Sequence, residues 1–387
     1  TKNGFPNLIN TERLLVKWLT STAPYLYPFN PCLIKLPNSQ SRVIGQEMGF
    51  TRVLKALPSW QAFGRNASHP KGRKASPLSG MEHTILTFYK FASFPEFSDW
   101  KQVLEKEGSK WGILGTIILA KEGINATISG KEENVYLFLG KIKEDSRFSD
   151  IRARKSTTER KTFYRLKIFL RDEIVTLGDD SINPNKAVGH YIEPDQWNKV
   201  IEDPEVLLVD TRNDYEVAIG TFAGAINPET KTFREWDGYV KANLDKKKHK
   251  KVAMFCTGGI RCEKASAHLL HHGFEEVYHL KGGILNYLEQ VEPEESKWEG
   301  ECFIFDHRVS LVHGLKDGQS QLCFGCRWPL SQEDLISEKY EEGVSCPKCH
   351  DSQSEKKKEG LRERQRQINL ANSENRPHIG QKMPKCE

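Results

Sequence analysis

Acidic residues are almost missing from the start of the chain: residues 1–80 hold eleven Lys or Arg against Glu12 and Glu47 alone. They contribute +9 while the other 307 residues sum to −4, so the formal net charge of +5 is a property of one segment. That segment is rich in Ser, Thr, Asn and Pro, and it has neither the compact apolar stretch nor the small-residue cleavage site of a secretory signal. The composition predicts either an organellar transit peptide or a disordered extension over 1–80. Long apolar runs are missing too. None of the 387 residues belongs to a stretch near the ~20 that a membrane helix needs, so a soluble chain with no membrane partner is expected. No G-x-G-x-x-G follows a strand-like run, so no flavin or nicotinamide fingerprint is present. The nine cysteines lack the spread of a disulfide framework. Most lie in one loop or in Cys-x-x-Cys pairs, which fits metal binding and catalysis in a reducing compartment.

At this length two or three domains are expected. The chemistry concentrates at Phe255-Cys256-Thr257-Gly258-Gly259-Ile260-Arg261-Cys262-Glu263-Lys264. The apolar Val252-Ala253-Met254 precedes it, and alanines and leucines at helical spacing follow, so the segment reads as strand, loop and helix. Gly258 and Gly259 let the loop curl its backbone N–H groups inward, and the following helix adds the positive end of its dipole. A thiol at Cys256 is expected to ionise readily there, helped by Arg261 if it turns inward. A cysteine buried as a small hydrophobe is the alternative. In a protein tyrosine phosphatase loop the arginine stands one residue further on, so this cradle suits a smaller group. Val206–Val209 reads as a buried strand that leaves Asp210 and Arg212 at its C-terminal end, where parallel sheets gather ligands. Both are expected to support the structure.

Upstream, strands are predicted at 84–91, 115–120, 126–129 and 162–170, with helices at 95–106 and 131–143. This is a β-α-β-β-α-β order of ferredoxin-like or acylphosphatase-like kind. Arg152, Arg154, Lys155, Arg160, Lys161, Arg165 and Lys167 crowd beside Phe163 and Tyr164 with Glu159 the only acid. Such a run either binds RNA phosphates and stacks bases or is an ordinary solvated face; Arg152, Arg154, Lys155, Arg160 and Lys161 are the RNA-binding candidates. Downstream, Cys323, Cys326, Cys346 and Cys349 form two Cys-x-x-Cys knuckles nineteen residues apart, the spacing of a structural zinc site with four thiolates and no open position. The charged tail reads as a solvated helix or a disordered arm.

Cys256 to Arg261, with Val206 to Arg212 and Gly220 to Pro228, resembles a rhodanese domain and its six-residue active loop. The fuller string Cys-Thr-Gly-Gly-Ile-Arg-Cys-Glu-Lys-Ala, the turn Lys121-Glu122-Gly123-Ile124-Asn125 and Arg362 to Gln367 resemble the tRNA uridine hydroxylases, over about Thr84 to Gly380. Where that family usually shows Gly after the Asn, this chain has Ala126. The fold class expected is α/β, a rhodanese-like parallel-sheet domain preceded by a ferredoxin/acylphosphatase-like α+β domain and followed by a small zinc-binding segment. The boundaries read as 1–80 extension, 81–178 first domain, 179–199 linker, 200–300 rhodanese domain, 301–350 cysteine segment and 351–387 tail. The resemblance implies oxygen-dependent 5-hydroxylation of wobble uridine in tRNA, with molecular oxygen as co-substrate and Cys256 as nucleophile; plant members work in plastids. Two alternatives stand beside it: a thiosulfate or persulfide sulfurtransferase that loads sulfane sulfur on Cys256, with Cys262 a possible second thiol, and a non-enzymatic RNA-binding protein.

Overall fold

The computed structural model describes residues 82–374 and 376, all of them within one unit, Gly72–Glu387. The expected transit segment at 1–80 and the far end of the tail lie outside the described residues.

The first domain alternates β1 (His83–Phe91), α1 (Phe97–Lys110), β2 (Leu114–Ala120), β3 (Gly123–Gly130), α2 (Glu132–Lys143), β4 (Arg154–Thr158) and β5 (Leu166–Leu170). Its sheet runs β4-β1-β3-β2-β5, antiparallel except for β2 beside β5. The expected fourth strand at 162–170 is corrected. The strand that closes the β-α-β-β-α-β unit against β1 is Arg154–Thr158, and Leu166–Leu170 is a fifth strand on the opposite edge. Arg-Lys-Ser-Thr-Thr has no apolar alternation because it lies at a sheet edge, so its strand is invisible to a hydrophobic pattern. Leu86 and Phe88 of β1 join Ile124, Ala126 and Ile128 of β3 in a core closed by Leu104, Phe138 and Ile142 of the helices. A strand turns successive side chains to opposite faces, so Thr87, Tyr89 and Phe91 point away from that core. Ala126 sits opposite Phe88 and Ile117 in ordinary strand geometry. The position of this turn that demands glycine is Gly123, with φ of +140° and the Lys90 carbonyl oxygen 2.0 Å from where a Cβ would stand.

The second domain contains β6 (His190–Ile192), α3 (Pro194–Ile201), β7 (Val206–Asp210), α4 (Asp214–Val217), β8 (Gly220–Phe222), α5 (Trp236–Asn243), β9 (Lys251–Phe255), α6 (Ile260–His271), β10 (Glu276–Leu280) and α7 (Gly283–Gln290). Its parallel sheet runs β6-β10-β9-β7. The reading of 179–199 as linker is corrected, since His190–Ile192 is an edge strand too short to show a period and Pro194 opens α3. In β9, Val252 and Met254 pack with Ala265 and Leu269 of α6, whereas Ala253 and Phe255 pack with Ile284 and Leu288 of α7. Cys256 continues on the α6 side.

The chain then forms β11 (Trp298–Gly300), paired with β8, and a small sheet of β12 (Cys302–Phe303), β13 (Ser310–Val312) and β14 (Lys316–Asp317). Cys302, Ile304, Leu311 and Leu315 enter the α7-side core, so the segment read as 301–350 is divided: its first part belongs to the rhodanese-like core. The tail is a helix, α8 (Glu355–Ser373), docked on the cysteine segment where Arg364 donates to the carbonyl of Gly343 at 2.9 Å and Arg362 forks onto Glu341.

One buried cation ties the two domains. The Lys264 ammonium on α6 lies 2.9 Å from Glu122, in the turn before β3, and also pairs with Glu173. Both carboxylates are anchored in turn, Glu122 by the backbone N–H of Ile174 and Glu173 by those of Leu177 and Gly178. Removing the cation leaves two desolvated carboxylates facing each other. Lys264→Met is therefore expected to lower unfolding stability by about 3 kcal/mol in urea titration.

Candidate active site

The loop Cys256–Arg261 leaves the end of β9 and enters α6. Cys256 is 1% exposed, and the backbone N–H of Gly259 donates to its Sγ at 3.1 Å. Gly259 has φ of +99°, and a Cβ there would stand 2.9 Å from the hydroxyl of Tyr89, so backbone conformation and close approach both require glycine. Below the loop lies a second glycine turn. A Cβ on Gly283, at φ +68°, would meet the Cys256 carbonyl at 2.4 Å, and the N–H groups of Ile284 and Leu285 donate to the carbonyls of Cys256 and Thr257. The first turn of α7 thus forms the floor of the loop.

Burial pushes the Cys256 thiol up, but the Cys262 thiol, the Arg261 charge and the N–H groups of Cys262 and Gly259 together outweigh it and pull its pKa below the thiol range. Cys262 moves the opposite way, raised by burial and by its neighbour's negative charge. Of the pair, Cys256 is the one held toward the thiolate form. The Thr211 hydroxyl is 3.6 Å from the Cys262 sulfur.

The expectation that Arg261 turns onto the thiolate or a substrate anion is corrected. Its guanidinium is forked onto Glu216 at 2.6 and 2.7 Å, with both side chains buried. A buried guanidinium needs a partner with two oxygens in its own plane, and Glu216 on α4 supplies it. Arg261 therefore acts on Cys256 through its field. Glu216 escaped sequence reading, although its position three residues after Asn213, whose N–H it accepts at 3.1 Å, is that of a helix-start glutamate. Asp210 and Arg212 form a buried ion pair at 2.6 Å. Arg212 is fully buried, bonded to both Asp210 oxygens and to the carbonyls of Glu216 and Gly220.

The face of the first domain's sheet that turns away from its own core meets this loop. Tyr89 donates to Glu263 at 2.7 Å, and Ile260 packs on the cluster of Phe91, Ala120 and Ile174. Burial, the two tyrosine hydroxyls of Tyr89 and Tyr191 and the nearby Cys256 charge act together on Glu263, and burial wins, raising its pKa. Beside Thr257 the domains enclose a cavity of about 50 Å³, lined among others by Thr87, Thr127, Ser156 and Arg308.

Residues 83–174 match the UPF0176 acylphosphatase like domain, and residues 193–290 match the rhodanese-like domain. The chain thus joins an acylphosphatase-like domain of UPF0176 kind to a rhodanese-like domain. Among solved structures it is similar to the rhodanese-like domain of an Anabaena protein, 21% identical over 28% of this chain and 78% of that one with a TM-score of 0.23. It is also similar to a rhodanese-related protein of Thermoplasma volcanium, 24% identical over 27% of this chain and 95% of that one with a TM-score of 0.22. The turn Lys121 to Asn125 and the string ending Cys262-Glu263-Lys264 meet across one interface, through Lys264 and Glu122.

The basic candidates separate. Arg154 is drawn into the domain interface, pairing with Glu289 and donating to Asn286 at 2.8 Å, so it is not a surface cation for RNA. Lys155 pairs with Glu132 at 2.5 Å, and Arg160 stands 3.6 Å from Asp317. Arg152 and Lys161 are exposed, the latter with its ammonium 5.9 Å from the Tyr164 ring centre. Phe163 is buried.

Cys323, Cys326, Cys346 and Cys349 converge, with sulfur separations of 3.9 Å for Cys323 and Cys349, 3.7 Å for Cys326 and Cys346, and 3.8 Å for Cys346 and Cys349. A metal bound at about 2.3 Å by four thiolates needs an edge of about 3.8 Å, so the four form a tetrahedral donor set able to hold a metal ion. Gln353 donates to the Cys349 sulfur at 2.9 Å, the outer support such ligands use.

The electrostatics of the loop give a titration test. The Cys256 thiolate is expected to persist as pH falls below the ordinary thiol value of about 8.5. Arg261→Ala removes the cation and leaves the Glu216 carboxylate, so the midpoint should rise by about one pH unit or more. Thiolate ultraviolet absorbance, taken as a difference from Cys256→Ser, measures both.

Proposed function

We propose that this rhodanese-fold protein is a tRNA-modifying enzyme that places a hydroxyl on C5 of wobble uridine, using molecular oxygen. The observation that carries the reading is Cys256, a thiol held toward its thiolate form on a loop that the acylphosphatase-like sheet faces. The thiolate adds to C6 of uracil, and C5 becomes an enolate carbon that attacks oxygen. The resulting C5 hydroperoxide takes two electrons and two protons from an external dithiol, giving the C5 alcohol and water. Loss of the C5 proton and of the thiolate from C6 then restores the aromatic ring and the enzyme. Loop N–H groups steady negative charge during these steps.

Cys256 is buried and the neighbouring cavity has room for one or two water molecules, so a base reaches the sulfur only when the sheet and the loop part. That closed geometry favours one second reading, transfer of sulfane sulfur through a Cys256 persulfide. tRNA is the proposed partner, gripped by Arg152 and Lys161 with Lys155 and Arg160 at the margin, and a plastid is the proposed location. The metal proposed for the four cysteines is structural zinc.

Three experiments test these assignments. tRNA from cells lacking the protein should lose 5-hydroxyuridine, the wild-type gene should restore it and Cys256→Ser should not, with folding unchanged; Cys262→Ser should do much less. Thiosulfate-to-cyanide sulfur transfer by the purified protein, with 5-hydroxyuridine unaltered in the deletion strain, decides for the second reading. Protein grown in zinc-supplemented minimal medium should carry sulfur-ligated zinc that is lost in Cys326→Ser.

A further inference from the structure

A second constellation of metal-binding groups lies on α6, away from the reacting loop. His268 is six residues beyond Cys262, about 9 Å further along the helix. Residues four apart on a helix stand one above the other, and the rings of His268 and His272 have centres 4.2 Å apart. Across from them, in the first turn of α5, is Asp237. One ring nitrogen of each histidine and one carboxylate oxygen of Asp237 all lie within 4.8 Å of one another.

The hydrogen bonding around these rings bears on which nitrogens carry protons. His272 Nδ1 stands 2.9 Å from the carbonyl oxygen of His268. A carbonyl only accepts, so Nδ1 carries the proton and Nε2 is left with a bare lone pair. This is the arrangement by which metal-binding histidines are held in the right tautomer. The His268 side chain is completely buried; its Nε2 meets Asp237 Oδ1 at 3.0 Å, and its Nδ1 has no hydrogen-bond partner. Beside the cluster opens a cavity of about 320 Å³, with Asp237 and His272 in its wall. It has ample room for water. The charges facing it are balanced: Lys241 is paired with the other Asp237 oxygen at 2.7 Å, and Arg234 and Asp179 complete the rim.

We propose that Asp237, His268 and His272 form a second metal site, separate from the four cysteines, which binds a divalent transition-metal cation such as zinc or iron(II). Two imidazoles and one carboxylate suit these ions better than calcium or magnesium, and three protein ligands leave positions for water or a small ligand from the cavity. The proposal stands independently of the tRNA reading.

Zinc binding to the full chain tests it. Wild-type protein, stripped with chelator, reloaded with zinc and freed of excess metal, is compared with His272→Ala and Asp237→Asn by metal analysis and by X-ray absorption at the zinc edge. The expected wild-type result is two equivalents with mixed sulfur and nitrogen/oxygen ligation. Each variant should lose one equivalent and show sulfur alone. His272 and Asp237 are both partly exposed, so the variants are expected to fold, which circular dichroism checks. A wild-type spectrum with sulfur ligands only overturns the proposal, whatever the variants do. So does a second equivalent that survives both substitutions.

Discussion

The structure depends on one buried ammonium group. Lys264 belongs to the helix that starts at the active loop, yet both of its carboxylate partners come from outside the parallel-sheet domain's core, one from the turn that joins β2 to β3. A buried charge pair is strongly directional in what it tolerates, because separating the partners strands uncompensated charge in a dry interior. The pair therefore fixes how the first domain's open sheet face sits over the loop. The Tyr89 to Glu263 bond and the seating of Ile260 follow from that placement.

The same interface explains why the site is closed. A sheet with helices on one face has to cover the other, and here the cover is the Cys256–Arg261 loop of the second domain. Thr87 and Thr127, with hydroxyl oxygens 3.3 Å apart, keep the centre of that contact polar beside a small cavity. A polar contact with space in it is easier to separate than a packed apolar one, since its groups exchange partners with water. The Lys264 cluster and the apolar Ile260 contact hold one side while this centre remains the weaker part.

Within the loop, the forked Arg261 to Glu216 pair divides roles that a single arginine would otherwise combine. The guanidinium contributes its charge to Cys256 while its donors stay on Glu216, which leaves the sulfur with backbone N–H partners and no competing side-chain cation bonded to it. The floor supplied by Gly283 and the first N–H groups of α7 holds the loop carbonyls, so the curvature that exposes N–H groups to the sulfur is fixed from below.

The sequence by itself determined the local parts. Two glycines after a cysteine at a strand end, a 3.6-residue period after them and two Cys-x-x-Cys knuckles each express a backbone or ligand requirement satisfied within a few residues. Edge strands were illegible, because Arg154–Thr158 and His190–Ile192 gain their place from a neighbour's free backbone groups and not from a hydrophobic period. Domain limits blurred for the same reason: the apolar residues of 302–315 show burial but not against what. Only the tertiary structure decided which charge meets which. Arg261 is bound by Glu216, forty-five positions away, Lys264 by Glu173, ninety-one away, and Arg154 is removed from the basic surface by Glu289. Such pairs leave no periodic trace, since Coulomb attraction between buried groups depends on distance in the folded chain and not on separation along it.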